Sequence, residues 1–67
     1  MNNRLQAVVD ELYRSGIKLD QALKEFEKRY IEAALAGNRG KRTLAARELG
    51  IHRNTLAHRI QHHRPAW

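Results

Sequence analysis

An all-α fold follows from three features of the sequence. Apolar residues recur at helical spacing along most of the chain, no segment alternates with period two, and glycines stand where helical stretches end. The length of 67 residues makes room for one domain, spanning residues 1–67. A domain this small buries only about 60% of the surface its unfolded chain exposes, so its core is marginal. With no cysteine, neither a disulfide nor a thiolate metal site can brace it, and pairing with a second copy is the remedy left.

Leu5, Val8, Val9 and Leu12 take the i, i+3, i+4, i+7 positions of one stripe and predict a first helix from about Arg4 to Ser15. Asn2 or Asn3 is its candidate cap and Gly16 its stop. A second helix is predicted from about Asp20 to Ala36, free of internal glycine and proline and ended by Gly37. Its i, i+4 pairs Asp20–Lys24, Glu25–Arg29 and Lys28–Glu32 each add about 0.2–0.5 kcal/mol. Leu19, Leu23, Phe26, Tyr30 and Ala34 form its central stripe, widened by Ile31 and Leu35 on one side and by Ala22 and Ala33 on the other. A surface helix needs an apolar face only about 100° wide, and this one is nearly twice that, so covers from two directions are expected. One is the chain's own domain and the other a second subunit.

The third and fourth helices are short. Leu44, Ala45, Ala46 and Leu49 supply a small buried face, Gly50 turns the chain, and Leu56 with Ile60 gives the buried side of the last helix. Pro65 disfavours helical backbone at Arg64, so that helix should stop near His62 or His63.

Charge divides the chain at Gly37. Residues 1–36 balance six basic side chains against six acidic ones, whereas residues 37–67 set seven basic side chains against Glu48 alone and hold all four histidines. The net +6 therefore sits in the second half and points to a polyanionic partner there. No apolar run reaches the roughly 20 residues of a membrane span. Met1-Asn2-Asn3-Arg4 opens no signal-peptide core, so a cytoplasmic setting is expected, and a helix directly behind Met1 favours a self-contained chain.

Two short helices joined by a glycine turn in the basic half, over residues 41–63, match the helix-turn-helix pattern. Ala46 lies where two such helices cross and little beyond a methyl group fits; Leu49 and Ile51 flank the turn, and Leu56 closes the unit. With Leu56 and Ile60 inward, Asn54, His58 and Gln61 point away, flanked by Thr55, Ala57 and His62, and Arg53 can swing outward from the first turn. Arg53 suits guanine O6 and N7, and Asn54 or Gln61 suits adenine, each good pair discriminating by about 1–3 kcal/mol. Lys41, Arg42, Thr43, Thr55 and Arg59 suit phosphates.

Ala45-Ala46, Leu49-Gly50-Ile51 and Arg53-Asn54-Thr55-Leu56 resemble the DNA-binding domain of the Fis family, that of the factor for inversion stimulation and of the nitrogen-regulator-type enhancer-binding activators. The similarity reaches back through Glu27, Tyr30-Ile31, Leu35 and Gly37-Asn38, covering roughly residues 19–60. It implies a bacterial, nucleoid-located regulator or architectural factor that binds double-stranded DNA as a homodimer. Residues 1–36 would form an intertwined core, with Leu5, Val8, Val9, Leu12, Leu23, Phe26 and Tyr30 at the interface. The two helices of about residues 53–62 would enter successive major grooves, closer together than one DNA turn, and bend the duplex. By position, the resemblance assigns Arg53 to a base, puts His52 in place of the Asn or Ser that commonly opens the recognition helix, and gives Lys41, Thr43 and Thr55 to the backbone. With the outward projection of the last helix, the expected base contacts are His52, Arg53, Asn54 and His58. Ala57 and His58 stand where the family has basic residues, and His52 is a poorer cap than Ser or Asn. A weaker phosphate grip is expected, strengthening at low pH as His58, His62 and His63 charge near the reading surface. The invertase-stimulating arm has no counterpart of sufficient length here, and Arg64-Pro65-Ala66-Trp67 matches nothing in the family pattern.

Other readings rank lower. A single serine, no cysteine and no strand-to-helix glycine turn leave little for an enzyme, and Gly37–Thr43 has the wrong spacing for a phosphate loop. His58 and His62, with His63 adjacent, make a weak metal site without an acidic or thiolate ligand, so no metal, cofactor or small-molecule substrate is expected. The rival from another class is a helical protein–protein dimerisation module whose basic half meets an acidic partner; a membrane surface is disfavoured because an aromatic belt is missing.

Overall fold

In the computed structural model, which describes residues 3–63, the helical periodicity resolves into α1 (Asn3–Arg14), α2 (Leu19–Gly37), α3 (Arg42–Leu49) and α4 (Arg53–His63). No strand occurs among the described residues. The boundaries agree with the periodicity to within about a residue. Asn3 already lies inside α1, and the alternative cap Asn2, together with Pro65 and Trp67, falls outside the described residues.

Two of the expected glycine stops hold. Gly16 closes α1 at φ +76°, and Gly50 closes α3 at φ +75° with its N–H donating to the Arg47 carbonyl and that of Ile51 to the Ala46 carbonyl. These crossed bonds satisfy the carbonyls that a helix end leaves unpaired. Gly37 is different: it remains in α2, and the left-handed position falls to Arg39, at φ +56°, followed by Gly40 at φ +77°. The same crossed pair forms there, from Gly40 N–H to the Leu35 carbonyl at 2.7 Å and from Arg39 N–H to the Ala36 carbonyl at 3.4 Å. Asn38 decides the stop. Its side-chain amide donates to the Ala34 carbonyl at 2.8 Å and to Glu48 of α3 at 3.3 Å, tying the end of α2 to the next helix.

The core is built by α2, α3 and α4. Ile31, Ala34 and Leu35 of α2, Ala45 and Ala46 of α3, and Leu56 and Ile60 of α4 form one buried cluster, with Leu49 and Ile51 packed on its edge. Leu44, expected in the buried face of α3, is 40% exposed instead. The two alanines bring the α3 backbone so close to its neighbours that the buried arc of this short helix is filled before Leu44 is reached.

The wide apolar arc of α2 is divided. Its Ile31–Leu35 edge is covered by the helix-turn-helix, while Leu23, Phe26 and Tyr30 stay more than half exposed, the last two with ring centroids 5.5 Å apart. On α1, no residue is fully buried; Val8 and Val9 are exposed and Leu5 and Leu12 half-buried. Between α1 and the first half of α2 lies an apolar trough of about 640 Å³.

Leu56 is completely buried, so Leu56→Ala should cost about 2–5 kcal/mol in urea denaturation, whereas Leu44→Ala should cost under about 1 kcal/mol. Equal losses from the two substitutions would overturn this division of the α3 and α4 faces.

Candidate nucleic-acid interface

Burial of Leu56 and Ile60 decides what α4 shows to solvent. Turning those two side chains inward leaves Arg53, Asn54, Thr55, Ala57, His58, Gln61 and His62 exposed, all on a helix held from behind by α2 and α3. The four residues expected to meet bases, His52, Arg53, Asn54 and His58, thus lie at or on the outer side of one rigid element.

His52 stands at the position just before α4, and its ring fills the cap. Its Nδ1 accepts the backbone N–H of Asn54 at 3.0 Å. A ring nitrogen that accepts carries no proton, so the neutral ring has its proton on Nε2. The cap function that Ser or Asn performs with oxygen is done here by nitrogen, and it leaves an N–H donor on the other side of the ring.

The remaining cations of the basic half divide into two groups. Arg39, Lys41, Arg42, Arg47 and Arg53 are exposed and form no ion pair among the described residues. Lys41, Arg42 and Thr43 open α3, and Thr55 lies in the first turn of α4, where free backbone N–H groups and the helix dipole add positive potential. Arg59 is engaged differently: its guanidinium donates to Glu27 of α2 at 2.6 Å. Glu48 accepts from Asn38.

His63 corrects a sequence expectation. Its side chain is only 5% exposed, and its Nε2 lies 2.6 Å from the other carboxylate oxygen of Glu27, so it belongs to the interior edge of α4 and not to the exposed face with His58 and His62. The signal was present, since Leu56, Ile60 and His63 are spaced i, i+4, i+7 and continue one buried stripe. His62 is exposed with its ring edge-on to His63, centroids 5.6 Å apart. No group of three or more His, Cys, Asp or Glu is placed to hold a metal ion among the described residues, and no helix there is long and apolar enough to cross a membrane.

Residues 22–63 match the family model of bacterial regulatory proteins of the Fis family. That segment takes in nearly all of α2 and the whole of α3 and α4, so the match covers the core and the exposed α4 face together. It is a helix-turn-helix DNA-binding regulatory module. No curated protein and no solved structure matches the chain significantly.

Removing the ring of the cap tests its role. His52→Ala should destabilise the domain by about 0.5–2 kcal/mol in chemical denaturation, and His52→Asn, which offers an oxygen at the same place, should restore most of the loss. Equal stability of the Ala variant and the parent would show that the 3.0 Å bond contributes nothing.

Proposed function

The chain belongs to the Fis family of bacterial regulatory proteins, and on that premise we propose that it is a sequence-selective regulator or nucleoid-associated factor that binds double-stranded DNA as a homodimer and bends it. The observation that carries this reading is the exposed face of α4, where Arg53, Asn54 and His58 stand free on a helix whose opposite side is locked by Leu56 and Ile60.

In this reading α4 lies in the major groove. Arg53 donates two parallel bonds to guanine, Asn54 pairs with adenine, and His58 lies along the same edge. His52 reaches the groove with the Nε2–H donor that its capping bond leaves free, which suits a base or phosphate acceptor and not a donor. Lys41, Arg42, Thr43 and Thr55 hold phosphates on either side. Arg59 is less available for a phosphate while Glu27 holds it, and contributes through the position of α4.

The dimer is formed by the faces that stay open in a single chain. Leu5, Val8, Val9 and Leu12 of α1 meet Leu23, Phe26 and Tyr30 of α2 across the two copies, filling the apolar trough and removing large hydrophobic side chains from water. Residues 1–36 are neutral overall, so two copies approach without net repulsion, and residues 41–63 of each carry the charge outward. A dimer of this kind presents twice the chain's +6, and two recognition helices set close together draw the duplex into a bend, with readout at bases that no side chain touches. The location that follows is the bacterial nucleoid.

Binding to duplex DNA that neutralises about 8 phosphates should weaken with salt at a log–log slope near −7, and Arg53→Ala should erase sequence preference with helical content unchanged. A flat salt response, or equal competition by acidic polypeptides at every DNA sequence, would instead favour a protein-interaction module with an acidic partner. The dimer has its own test. Phe26→Asp or Tyr30→Asp should convert the protein, in analytical ultracentrifugation, from dimer to monomer with much of its helix lost; a dimer of unchanged affinity would remove this face from the interface.

A further inference from the structure

Two nitrogen-bearing side chains of α4, Arg59 and His63, are spaced i, i+4 and converge on a single carboxylate in α2. Glu27 gives one oxygen to each, both at 2.6 Å, and no other acid lies within ion-pair distance of either among the described residues. Glu27 itself continues the buried stripe of α2, standing four residues before Ile31, just as His63 follows Ile60. The apolar contact between the two helices thus ends in one polar clasp, in which both carboxylate oxygens are used. Charge-assisted bonds of this length are strong and directional. The His63 bond is made by an Nε2–H donor, so it exists for the neutral ring as well as the charged one.

We infer that Glu27 is a positioning residue that sets the angle of the reading helix α4 to the dimerisation helix α2, and through it the half-site spacing the dimer accepts. The inference rests on the homodimer reading above. The physical argument is one of leverage. Leu56 and Ile60 hold the inner face of α4 against the core, but burial and dispersion are not directional, so apolar packing by itself sets the angle of the helix only loosely. A bidentate tie at the C-terminal half narrows that angle. In a dimer joined through α2, a change of angle at this joint moves both reading helices, by symmetry in opposite directions. Asp20, Lys24, Tyr30 and His62 line the groove of about 630 Å³ beside the clasp and are the other charged or titratable side chains among its lining residues.

Residual dipolar couplings on the free protein test the clasp, and selection from random duplexes with variable spacing between half-sites tests its consequence. Glu27→Ala should leave the helical content and the preferred bases of each half-site unchanged. It should broaden the accepted spacings, lower affinity for the best-spaced site by on the order of tenfold, and lower the order of α4 relative to α2. In the parent, the imidazole ¹⁵N shifts of His63 should report a proton on Nε2, and that signature should be lost in Glu27→Ala. Glu27→Gln keeps an acceptor for Arg59 and should retain most of the spacing preference, so it carries the test if the alanine variant loses helix. Unchanged couplings and spacing in Glu27→Ala would overturn the inference. So would tighter binding at unchanged spacing, which would make Glu27 a mask over the charge of Arg59. A parent protein that binds no duplex DNA would sink the functional reading while the couplings still decide whether the clasp orients α4.

Discussion

At Ala45 and Ala46 the side chain ends at Cβ, and this lets the α3 backbone approach both neighbours closely enough for residues of three helices to enclose one core. Both positions are essentially without solvent contact. Ile31, Leu35, Leu56 and Ile60 fill the space around them, and a larger side chain at either alanine would separate α3 from α2 or α4. The outward face of α4 depends on this close approach, because that face is defined only as the side opposite Leu56 and Ile60. In a core of so few side chains, each contact carries a large share of a small total stability.

Around that core the polar groups are used as ties between helices. Asn38 joins the end of α2 to Glu48 of α3, and Glu27 joins α2 to Arg59 and His63 of α4. Two of the acids in the matched segment are thereby committed within the fold, leaving Lys41, Arg42, Arg47 and Arg53 without carboxylate partners. The positive surface of the second half is thus a consequence both of composition and of where the acids are held. Arg59 shows the distinction. Counted in a sequence it is one more cation for phosphate; in the fold its guanidinium is held by Glu27 of α2.

The division of the α2 arc has the same logic. A helix apolar over so wide a face cannot be satisfied by one neighbour, and the helix-turn-helix covers only the Ile31, Ala34, Leu35 edge. Leu23, Phe26 and Tyr30 remain outside, continuous with the open side of α1. One helix therefore serves as a wall of the domain on one side and leaves a second apolar face open on the other.

Much of this was legible along the chain. Four helices, the turn at Gly50, the tight position at Ala46, the buried pair Leu56 and Ile60 and the two-sided α2 all depend on spacing and side-chain size, and both are local properties. The misreadings have a common cause. Gly37 looked like a stop, but the carbonyls of the last α2 turn are capped through Arg39 and Gly40, because Asn38 finds a partner in α3. Leu44 looked buried, but two alanines fill the face of α3 first. His63 looked like part of the exposed face of α4, but Glu27 draws it inward. The order of residues by itself determined which segments are helical and which of their faces are apolar, since helical periodicity is decided within a few residues. Only the tertiary structure decided where each helix stops and which polar side chains are committed to one another, because Asn38 with Glu48 and Glu27 with His63 meet across distances in sequence that only packing closes.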